Sequence, residues 1–209
     1  MSIKQAYNSW ASQYDTNKNR TRDLEAVALR NTLASIPFET CLEIGCGTGK
    51  NTEWLVRKAM HVTAVDLSEK MLEWARKKVH SNKVEFVQAD ITKEWGFTQQ
   101  QYDLVSFSLV LEHIENLHHI FKEAASALNP DGHIYIGELH PFKQYNGTKA
   151  RFDTEEEGRQ EVECYTHNIS DFVQIAKHHR LKLLDLNEYF DNHDRTSIPR
   201  ILTLLLQKV

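Results

Sequence analysis

Three glycines stand at alternate positions in the segment CLEIGCGTGKN, which covers residues 41–51. They are Gly45, Gly47 and Gly49, directly after a short apolar run. Glycine loses more conformational freedom on folding than any other residue, so this spacing indicates that a ligand lies close against the backbone. Because N–H groups at the start of a helix bind anionic groups, the turn is a candidate for holding the charged end of a ligand.

Carboxylates follow at the ends of the next two predicted strands. Asp66 lies 21 residues after Gly45, where an acid accepts hydrogen bonds from both hydroxyls of a ribose. Asp90 ends the segment VEFVQAD and is placed to accept from the exocyclic amine of an adenine. A cap for the turn at Thr92 is the alternative role for Asp90.

A fourth predicted strand leads into SFSLVLEHI, which carries Ser108, Glu112 and His113. Four consecutive strand ends therefore carry groups suited to one adenosine ligand. The glycine turn alone would not establish this, because an ordinary βα turn also uses glycine. The turn also departs from the G-x-G-x-x-G fingerprint of dinucleotide sites, since Lys50 stands where that fingerprint has its third glycine.

Helical and strand patterns alternate along the chain and position these residues. The predicted strands are 41–45, 61–66, 84–88, 102–109, 133–139, 181–189 and 201–207, and the predicted helices are 22–35, 51–58, 68–79, 114–128 and 170–179. Such alternation produces βαβ units and an α/β fold with helices on both faces of a mostly parallel, seven-stranded sheet. The last two strands follow one another without a crossover helix, so we expect an antiparallel final strand.

Length and composition indicate one compact domain over residues 1–209, with 41% hydrophobic and 26% charged residues. The formal net charge of −4 argues against nucleic acid and against an anionic membrane surface. The first residues, MSIKQAYNSW, lack the apolar core of a signal peptide, and no apolar stretch is long enough to span a bilayer. We therefore expect a cytoplasmic protein without membrane insertion.

The cysteines and histidines do not suggest a metal site. Cys41, Cys46 and Cys164 form no CxxC pair and are interpreted as reduced thiols. The pairs His118-His119 and His178-His179 fall in predicted helices, where adjacent side chains point in different directions. We interpret the histidines as scattered surface residues.

Five segments stand in an order and near a spacing that are typical of one enzyme family: LEIGCGTGKNT, VTAVDLSEKML, VEFVQAD, YDLVSFSLVLEHI and ALNPDGHIYI. The sequence resembles the class I S-adenosylmethionine-dependent methyltransferases, in particular the small-molecule branch that includes ubiquinone and menaquinone methyltransferases. The resemblance covers about residues 5–140 well and the remainder loosely. It implies a Rossmann-like three-layer sandwich, S-adenosyl-L-methionine as cofactor and S-adenosyl-L-homocysteine as product.

The resemblance also implies which residues contact the cofactor: Tyr14, Glu43, Gly45, Cys46, Gly47, Gly49, Asp66, Leu67, Met71, Asp90, Ile91 and Ser108. Glu43 and the glycine turn would hold its amino-acid part. Leu67 and Met71 would pack on the adenine, although Met71 equally fits plain core. Residues 1–20 would close over the cofactor, with Tyr14 either as the contact or as simple packing of an N-terminal helix.

The acceptor region is predicted at residues 139–168, a connection long enough to be a lid. Its aromatic and basic side chains suit a small acceptor with an apolar body and an anionic end, or else they cover the sheet edge. The candidate acceptor contacts are Phe142, Lys143, Tyr145 and Arg151. His140 and His113 are the candidate catalytic groups; a strand-end histidine bonded to the backbone is the alternative for His140.

The sequence therefore predicts S-adenosylmethionine-dependent methyl transfer to a small-molecule acceptor. Two alternatives stay open: a methyltransferase acting on a protein or a carrier-bound substrate, and a non-catalytic module that only binds S-adenosylmethionine. Nucleobase methylation is disfavoured, because Ser-Phe-Ser-Leu stands where such enzymes carry an Asn/Asp-Pro-Pro-aromatic or a Pro-Cys segment. No feature of the sequence decides the oligomeric state.

Overall fold

The computed structural model describes the backbone of residues 2–149, 151–154 and 158–209, and the side chains of residues 2–149 and 161–209. The strands in chain order are β1 (Thr40–Ile44), β2 (His61–Asp66), β3 (Val84–Gln88), β4 (Tyr102–Ser108), β5 (Leu128–Leu139), β6 (Arg151–Thr154), β7 (Gly158–Glu161), β8 (Leu181–Tyr189) and β9 (Ile201–Lys208). Seven of them form one sheet in the order β3-β2-β1-β4-β5-β9-β8. β6 and β7 form a separate antiparallel pair.

The sheet is parallel from β3 to β5, and β9 runs antiparallel to both of its neighbours, β5 and β8. The strand order reverses between β1 and β4. In open α/β sheets ligands bind at such a switch point, outside the carboxyl ends of the strands. The predicted mostly parallel, seven-stranded sheet with an antiparallel final strand is confirmed.

The helices of the described chain are α1 (Ile3–Trp10), α2 (Arg20–Leu33), α3 (Thr52–Lys58), α4 (Glu69–Lys78), α5 (Leu117–Ala127), α6 (Pro141–Tyr145) and α7 (Ile169–His178). Local sequence explains their ends. Ser68 caps α4, its hydroxyl accepting from the Met71 N–H at 3.1 Å. Arg76, Lys77 and Lys78 occupy the last turn of α4, where positive charge favours the helix dipole.

Two hydrophobic cores lie on opposite faces of the sheet. Phe121 of α5 and Phe172 of α7 belong to one core, and Leu29 of α2 belongs to the other. Successive residues of a strand point to opposite faces, and accordingly Leu104 packs in the second core and Val105 in the first. The molecule is therefore built as helices, sheet and helices, which is the three-layer sandwich expected from the resemblance.

Two predicted boundaries were wrong by several residues. α5 begins at Leu117 rather than at residue 114, because Leu111–His113 forms a separate 3₁₀ turn. β5 begins at Leu128 rather than at residue 133, and a register shift against β4 accommodates the extra residues. The segment Asn129-Pro130-Asp131-Gly132 is thus part of this irregular strand start.

The predicted acceptor segment, residues 139–168, contains secondary structure of its own. It contains α6, β6 and β7, and Tyr165 is tied to the 3₁₀ turn by its N–H, which donates to the Glu112 carbonyl at 2.7 Å. These elements are short, so no helical or strand period could develop in the sequence. Among the described helices, none combines the length and the apolar character that crossing a bilayer requires.

Candidate functional site

The glycine turn joins β1 to α3 at the carboxyl edge of the sheet. The N–H groups of Gly45 and Cys46 donate to the Val65 carbonyl at 2.8 and 3.0 Å, which ties the turn to β2. Gly45 has a φ of +72°, and a Cβ built on it would lie 2.0 Å from Cγ2 of Val110. Only glycine fits there, because both the backbone conformation and the space exclude a side chain.

Asp66 ends β2 and is held by the backbone around it. Its Oδ2 accepts from the Gly47 N–H at 2.9 Å, and its Oδ1 accepts from the Ser68 N–H at 2.8 Å. Burial raises the pKa of this carboxyl to about 6, against the effect of these hydrogen bonds. Each carboxylate oxygen has two lone pairs, so both can still accept from a ligand hydroxyl.

A cavity opens at this edge of the sheet, as the strand order requires. It is lined by nine of the residues that the sequence singled out: Tyr14, Gly45, Gly47, Asp66, Leu67, Asp90, Ile91, Ser108 and His113. The ends of β1, β2, β3 and β4 thus meet around one space. This is the arrangement expected for an adenosine-containing ligand.

Asp90 caps the turn that follows β3 and also lies in the cavity wall. Its Oδ1 caps the following turn, accepting from the N–H of Thr92 at 3.0 Å and from the hydroxyl of Thr92 at 2.6 Å. The residue also lines the cavity. Capping fixes the direction of the carboxylate and leaves acceptor capacity for a ligand.

Four predicted cofactor contacts do not line this cavity: Glu43, Cys46, Gly49 and Met71. Glu43 is buried and accepts from the Thr52 hydroxyl at 2.5 Å, so it fastens β1 to the start of α3. Burial raises the pKa of Glu43 to about 8. Gly49 makes room for α4, since its Cβ would lie 3.0 Å from Cγ2 of Val79. Met71 is fully buried, which agrees with its alternative as core.

His113 is tied to a residue that the sequence did not single out. Its Nε2 lies 2.7 Å from the hydroxyl of Tyr7, and its Nδ1 lies 2.9 Å from the carbonyl of Glu163. A carbonyl only accepts, so Nδ1 carries the proton, and Nε2 is left to accept from Tyr7. Burial, the largest cause, raises the pKa of Tyr7 well above its usual value, which keeps the hydroxyl neutral.

A sequence signal for Tyr7 exists in the aromatic spacing of the N-terminal segment. Tyr7, Trp10 and Tyr14 stand three and four residues apart, and their rings contact one another with centroids 4.8 to 6.4 Å apart. This cluster covers the cavity from above the glycine turn, where Gly47 would place a Cβ 3.8 Å from the Tyr14 ring. Tyr7 and Tyr14 thus place part of the N-terminal segment at the cavity, and closure of residues 1–20 over a cofactor stays a prediction.

A second cavity adjoins the first and shares Tyr7, Tyr14 and Leu109 with it. Its other walls carry charged groups, among them Arg22. The Arg22 guanidinium lies 3.8 Å from the centroid of the Tyr14 ring. Among the described side chains, the buried Nε of Arg22 has no hydrogen-bond partner.

Glu112 and Lys149 also line the second cavity. Burial, the largest cause, raises the pKa of Glu112, and the neighbouring His113 opposes the shift. The Lys149 ammonium lies 3.5 Å from a carboxylate oxygen of Glu161. The cavity therefore has two cations and one buried acid in its walls.

His140 does not line either cavity. It is fully buried and caps α6, with Nδ1 accepting from the Phe142 N–H at 3.2 Å. Its Nε2 donates to a carboxylate oxygen of Glu188 at 3.0 Å. Because both ring nitrogens are occupied away from the cavities, this geometry does not support the predicted catalytic role and gives His140 a structural one.

The predicted acceptor contacts on α6 also point elsewhere. Phe142 and Tyr145 are 52% and 63% exposed and line neither cavity. Tyr145 donates to the side-chain oxygen of Asn168, and Lys143 pairs with Asp191 at 3.9 Å. The side chain of Arg151 lies outside the described residues. Phe142, Lys143 and Tyr145 therefore lie outside both cavities, and a role for them in acceptor binding stays a prediction.

Comparisons with known proteins agree with this architecture. Residues 42–136 match the family model of a methyltransferase domain. The malonyl-[acyl-carrier protein] O-methyltransferase of Priestia megaterium is 34% identical over 170 residues, which cover 79% of this chain and 56% of that protein. The demethylmenaquinone methyltransferase of Clavibacter sepedonicus is 34% identical over 114 residues, which cover 54% of this chain and 46% of that protein. The chain thus spans about half the length of these curated relatives.

Among solved structures, the N-methyltransferase NodS of Bradyrhizobium japonicum WM9 in complex with S-adenosyl-L-homocysteine shares the fold. Its TM-score is 0.73 at 18% identity, and the match covers 98% of this chain and 97% of that one. The cavity at the strand ends and the match to a methyltransferase domain agree with each other. Residues 42–136 form a methyltransferase domain, and the chain is similar to class I S-adenosylmethionine-dependent methyltransferases.

Proposed function

We propose that the protein binds S-adenosyl-L-methionine in the first cavity and transfers its methyl group to a small anionic acceptor in the second. The observation that carries this proposal is the wall shared by the two cavities, formed by Tyr7, Tyr14 and Leu109. Methyl transfer is an in-line displacement, so donor and acceptor must lie end to end with water excluded. Two adjoining cavities supply that arrangement.

The residues of the first cavity fit this cofactor. Asp66 offers carboxylate oxygens for the ribose hydroxyls, and Asp90 offers them for the adenine amine. Leu67 and Ile91 supply apolar surface for the adenine ring, and Gly47 leaves its backbone open to the amino-acid end. When bound, the cofactor supplies an electrophilic methyl group on its sulfonium. The chain has to orient the acceptor against it and keep water out.

The charges of the second cavity favour an acceptor with an anionic end. The Arg22 guanidinium belongs to the wall of this cavity, and guanidinium groups form strong, charge-assisted hydrogen bonds with carboxylate or phosphate. Lys149 adds a second cation, although it already has Glu161 beside it.

The pair formed by Tyr7 and His113 is placed to accept a proton from the acceptor. The Glu163 carbonyl fixes the proton on Nδ1 of His113, so Nε2 is the nitrogen that can accept a proton. The Tyr7 hydroxyl would pass its own proton to Nε2 and take the proton of the acceptor in exchange. A hydroxyl or amine acceptor would need this route. A carboxylate acceptor would not, because it is already ionised.

A second candidate is methylation of a carboxylate on a carrier-bound acyl group. The matched relative from Priestia megaterium bears that activity in its name, and the cationic cavity accommodates a carboxylate equally well. The two candidates differ in whether the acceptor is free or attached to a protein.

Transfer of a labelled methyl group distinguishes them. Protein and methyl-labelled S-adenosyl-L-methionine are incubated with small carboxylic and hydroxy acids, and separately with malonyl-loaded acyl carrier protein. Label in a free acid supports the leading proposal, and label on the carrier supports the second. Binding of S-adenosyl-L-homocysteine without transfer to any acceptor in a fractionated extract would leave a binding module and refute both.

A further inference from the structure

Three histidines from two helices meet at a place separate from both cavities. His118 lies in the first turn of α5, while His178 and His179 lie at the end of α7. Each ring offers a nitrogen, and the three nitrogens lie within 4.8 Å of one another. The ring centroids are 4.9, 5.2 and 5.7 Å apart. The sequence-based interpretation of scattered surface histidines is therefore wrong for these three.

The ring of His118 comes from a different helix than those of His178 and His179. Adjacent residues of a single helix do diverge, but a ring from a second helix can lie against both of them. The helices are held together independently of the histidines, since Phe121 of α5 and Phe172 of α7 share a hydrophobic core. The cluster thus sits on a packed helix contact rather than on a loop.

His179 gives a second, independent indication of a ligand. Among the described side chains, its Nε2 is one of the few buried polar atoms without a hydrogen-bond partner. Buried polar atoms normally find partners, so such an atom requires an explanation. An unprotonated imidazole nitrogen is a common metal ligand, so a bound ion would supply the missing partner.

We propose that His118, His178 and His179 bind one divalent transition-metal ion, with Zn²⁺ as the preferred metal. Imidazole nitrogens suit zinc, and Zn–N bonds of about 2.0–2.1 Å place tetrahedral ligand atoms about 3.3 Å apart. The three nitrogens lie within 4.8 Å of one another, so the largest separation must shorten by about 1.5 Å at most to reach the tetrahedral spacing. The exposed rings of His118 and His178 can supply this movement by side-chain rotation.

Such an ion would cross-link the segments on both sides of the active site. α5 follows the 3₁₀ turn that carries His113, and α7 follows the predicted acceptor segment 139–168. These segments already meet where Nε2 of His167 lies 2.7 Å from the Ile114 carbonyl. The ion would add a second tie between the two segments, so its main effect would be on stability rather than on the chemical step.

The test uses full-length protein without a histidine tag, freed of metal with a chelator. Calorimetry with ZnCl₂ should show one equivalent bound per chain, and saturating Zn²⁺ should raise the melting temperature by several degrees. His118→Ala and His178→Ala alter exposed side chains and should each weaken binding at least tenfold. His80→Ala, an exposed histidine outside the cluster, is the matched control and should leave binding unchanged.

Cobalt provides a spectroscopic check on the ligands. A Co²⁺ complex of this site should show tetrahedral ligand-field bands without thiolate charge transfer, and Cys164→Ala should leave the spectrum unchanged. Binding that does not saturate at one equivalent would mean adventitious surface binding and overturn the proposal. Binding that survives in both histidine variants, or that is lost in Cys164→Ala, would overturn it as well.

Discussion

The hydroxyl of Tyr7 lies 2.7 Å from Nε2 of His113, although 106 positions separate the two residues in the chain. The contact joins the N-terminal helix α1 to the turn after β4, and both residues line the first cavity. It brings a neutral hydroxyl and a basic nitrogen to the boundary with the second cavity. The proposed proton route depends on this pair.

Removing the Tyr7 hydroxyl or the His113 imidazole should slow turnover more than it weakens cofactor binding. General base catalysis typically contributes about 10²- to 10⁴-fold, so Tyr7→Phe and His113→Gln should each lower kcat by about 100-fold for a hydroxyl or amine acceptor. Affinity for S-adenosyl-L-homocysteine should change only slightly. Tyr145→Phe, which alters an exposed hydroxyl away from both cavities, is the control. Equal kcat in all three variants would remove the pair from the mechanism.

Asp66 should carry a large share of cofactor affinity. A hydrogen bond to a charged group contributes about 1.5–3 kcal/mol, so Asp66→Ala should weaken binding of S-adenosyl-L-homocysteine by about 10- to 150-fold. In Asp66→Asn the side-chain oxygen can still accept from the Gly47 N–H. This variant therefore removes the charge of the side chain but keeps its hydrogen bond to the glycine turn. Titration calorimetry measures both. Asp23→Asn, on an exposed ion pair with Lys50, should bind like the wild type.

Cofactor affinity should also depend on pH through the same carboxyl. The pKa of Asp66 is about 6 in the free protein, and the ribose hydroxyls need the ionised form as acceptor. Affinity should therefore be constant above about pH 7 and fall as pH decreases through 6, approaching tenfold per pH unit well below it. Asp66→Asn should flatten this dependence. A wild-type affinity that stays constant from pH 7 to 5 would contradict the assignment.

Arg22 should act on the acceptor rather than on the cofactor. Arg22→Met removes one of the two cations that line the second cavity while keeping an apolar chain beside Tyr14. We expect KM for an anionic acceptor to rise by about 10- to 100-fold, since charge-assisted hydrogen bonds contribute about 1.5–3 kcal/mol. Arg30→Met, an exposed change in the same helix, is the control. If the affinity for S-adenosyl-L-homocysteine falls as much as the acceptor KM rises, Arg22 supports Tyr14 instead.

Glu138 should make the protein less stable as pH rises. Burial raises its pKa to about 8, above the usual value of 4.5, so the folded state holds a proton that the unfolded chain has released. The contribution of Glu138 to the free energy of unfolding is therefore greatest below pH 4.5 and is lost as the pH rises towards 8. Urea unfolding should show a smaller decline over this range in Glu138→Gln than in the wild type. Glu115→Gln, at an exposed position, should retain the wild-type slope.

The sheet and most of the first cavity could be predicted because their signals are local. Apolar strands alternate with amphipathic helices, and the residues at consecutive strand ends must meet at one edge of a parallel sheet. The second cavity could not be predicted in this way. Arg22 comes from α2 and Lys149 from the segment after α6, and no periodicity relates them. The catalytic prediction for His140 rested on its position directly after a strand. The sequence did not reveal that α6 begins there and that His140 is the cap of this helix.

In the proposed complex the cofactor lies in the first cavity, with its reactive end at the wall shared with the second. A crystal structure with S-adenosyl-L-homocysteine tests this arrangement most directly. We expect the ribose hydroxyls on Asp66, the adenine beside Asp90 and Ile91, and the sulfur facing Tyr7 and the second cavity. A ligand whose sulfur points away from that wall, or one bound elsewhere, would contradict it.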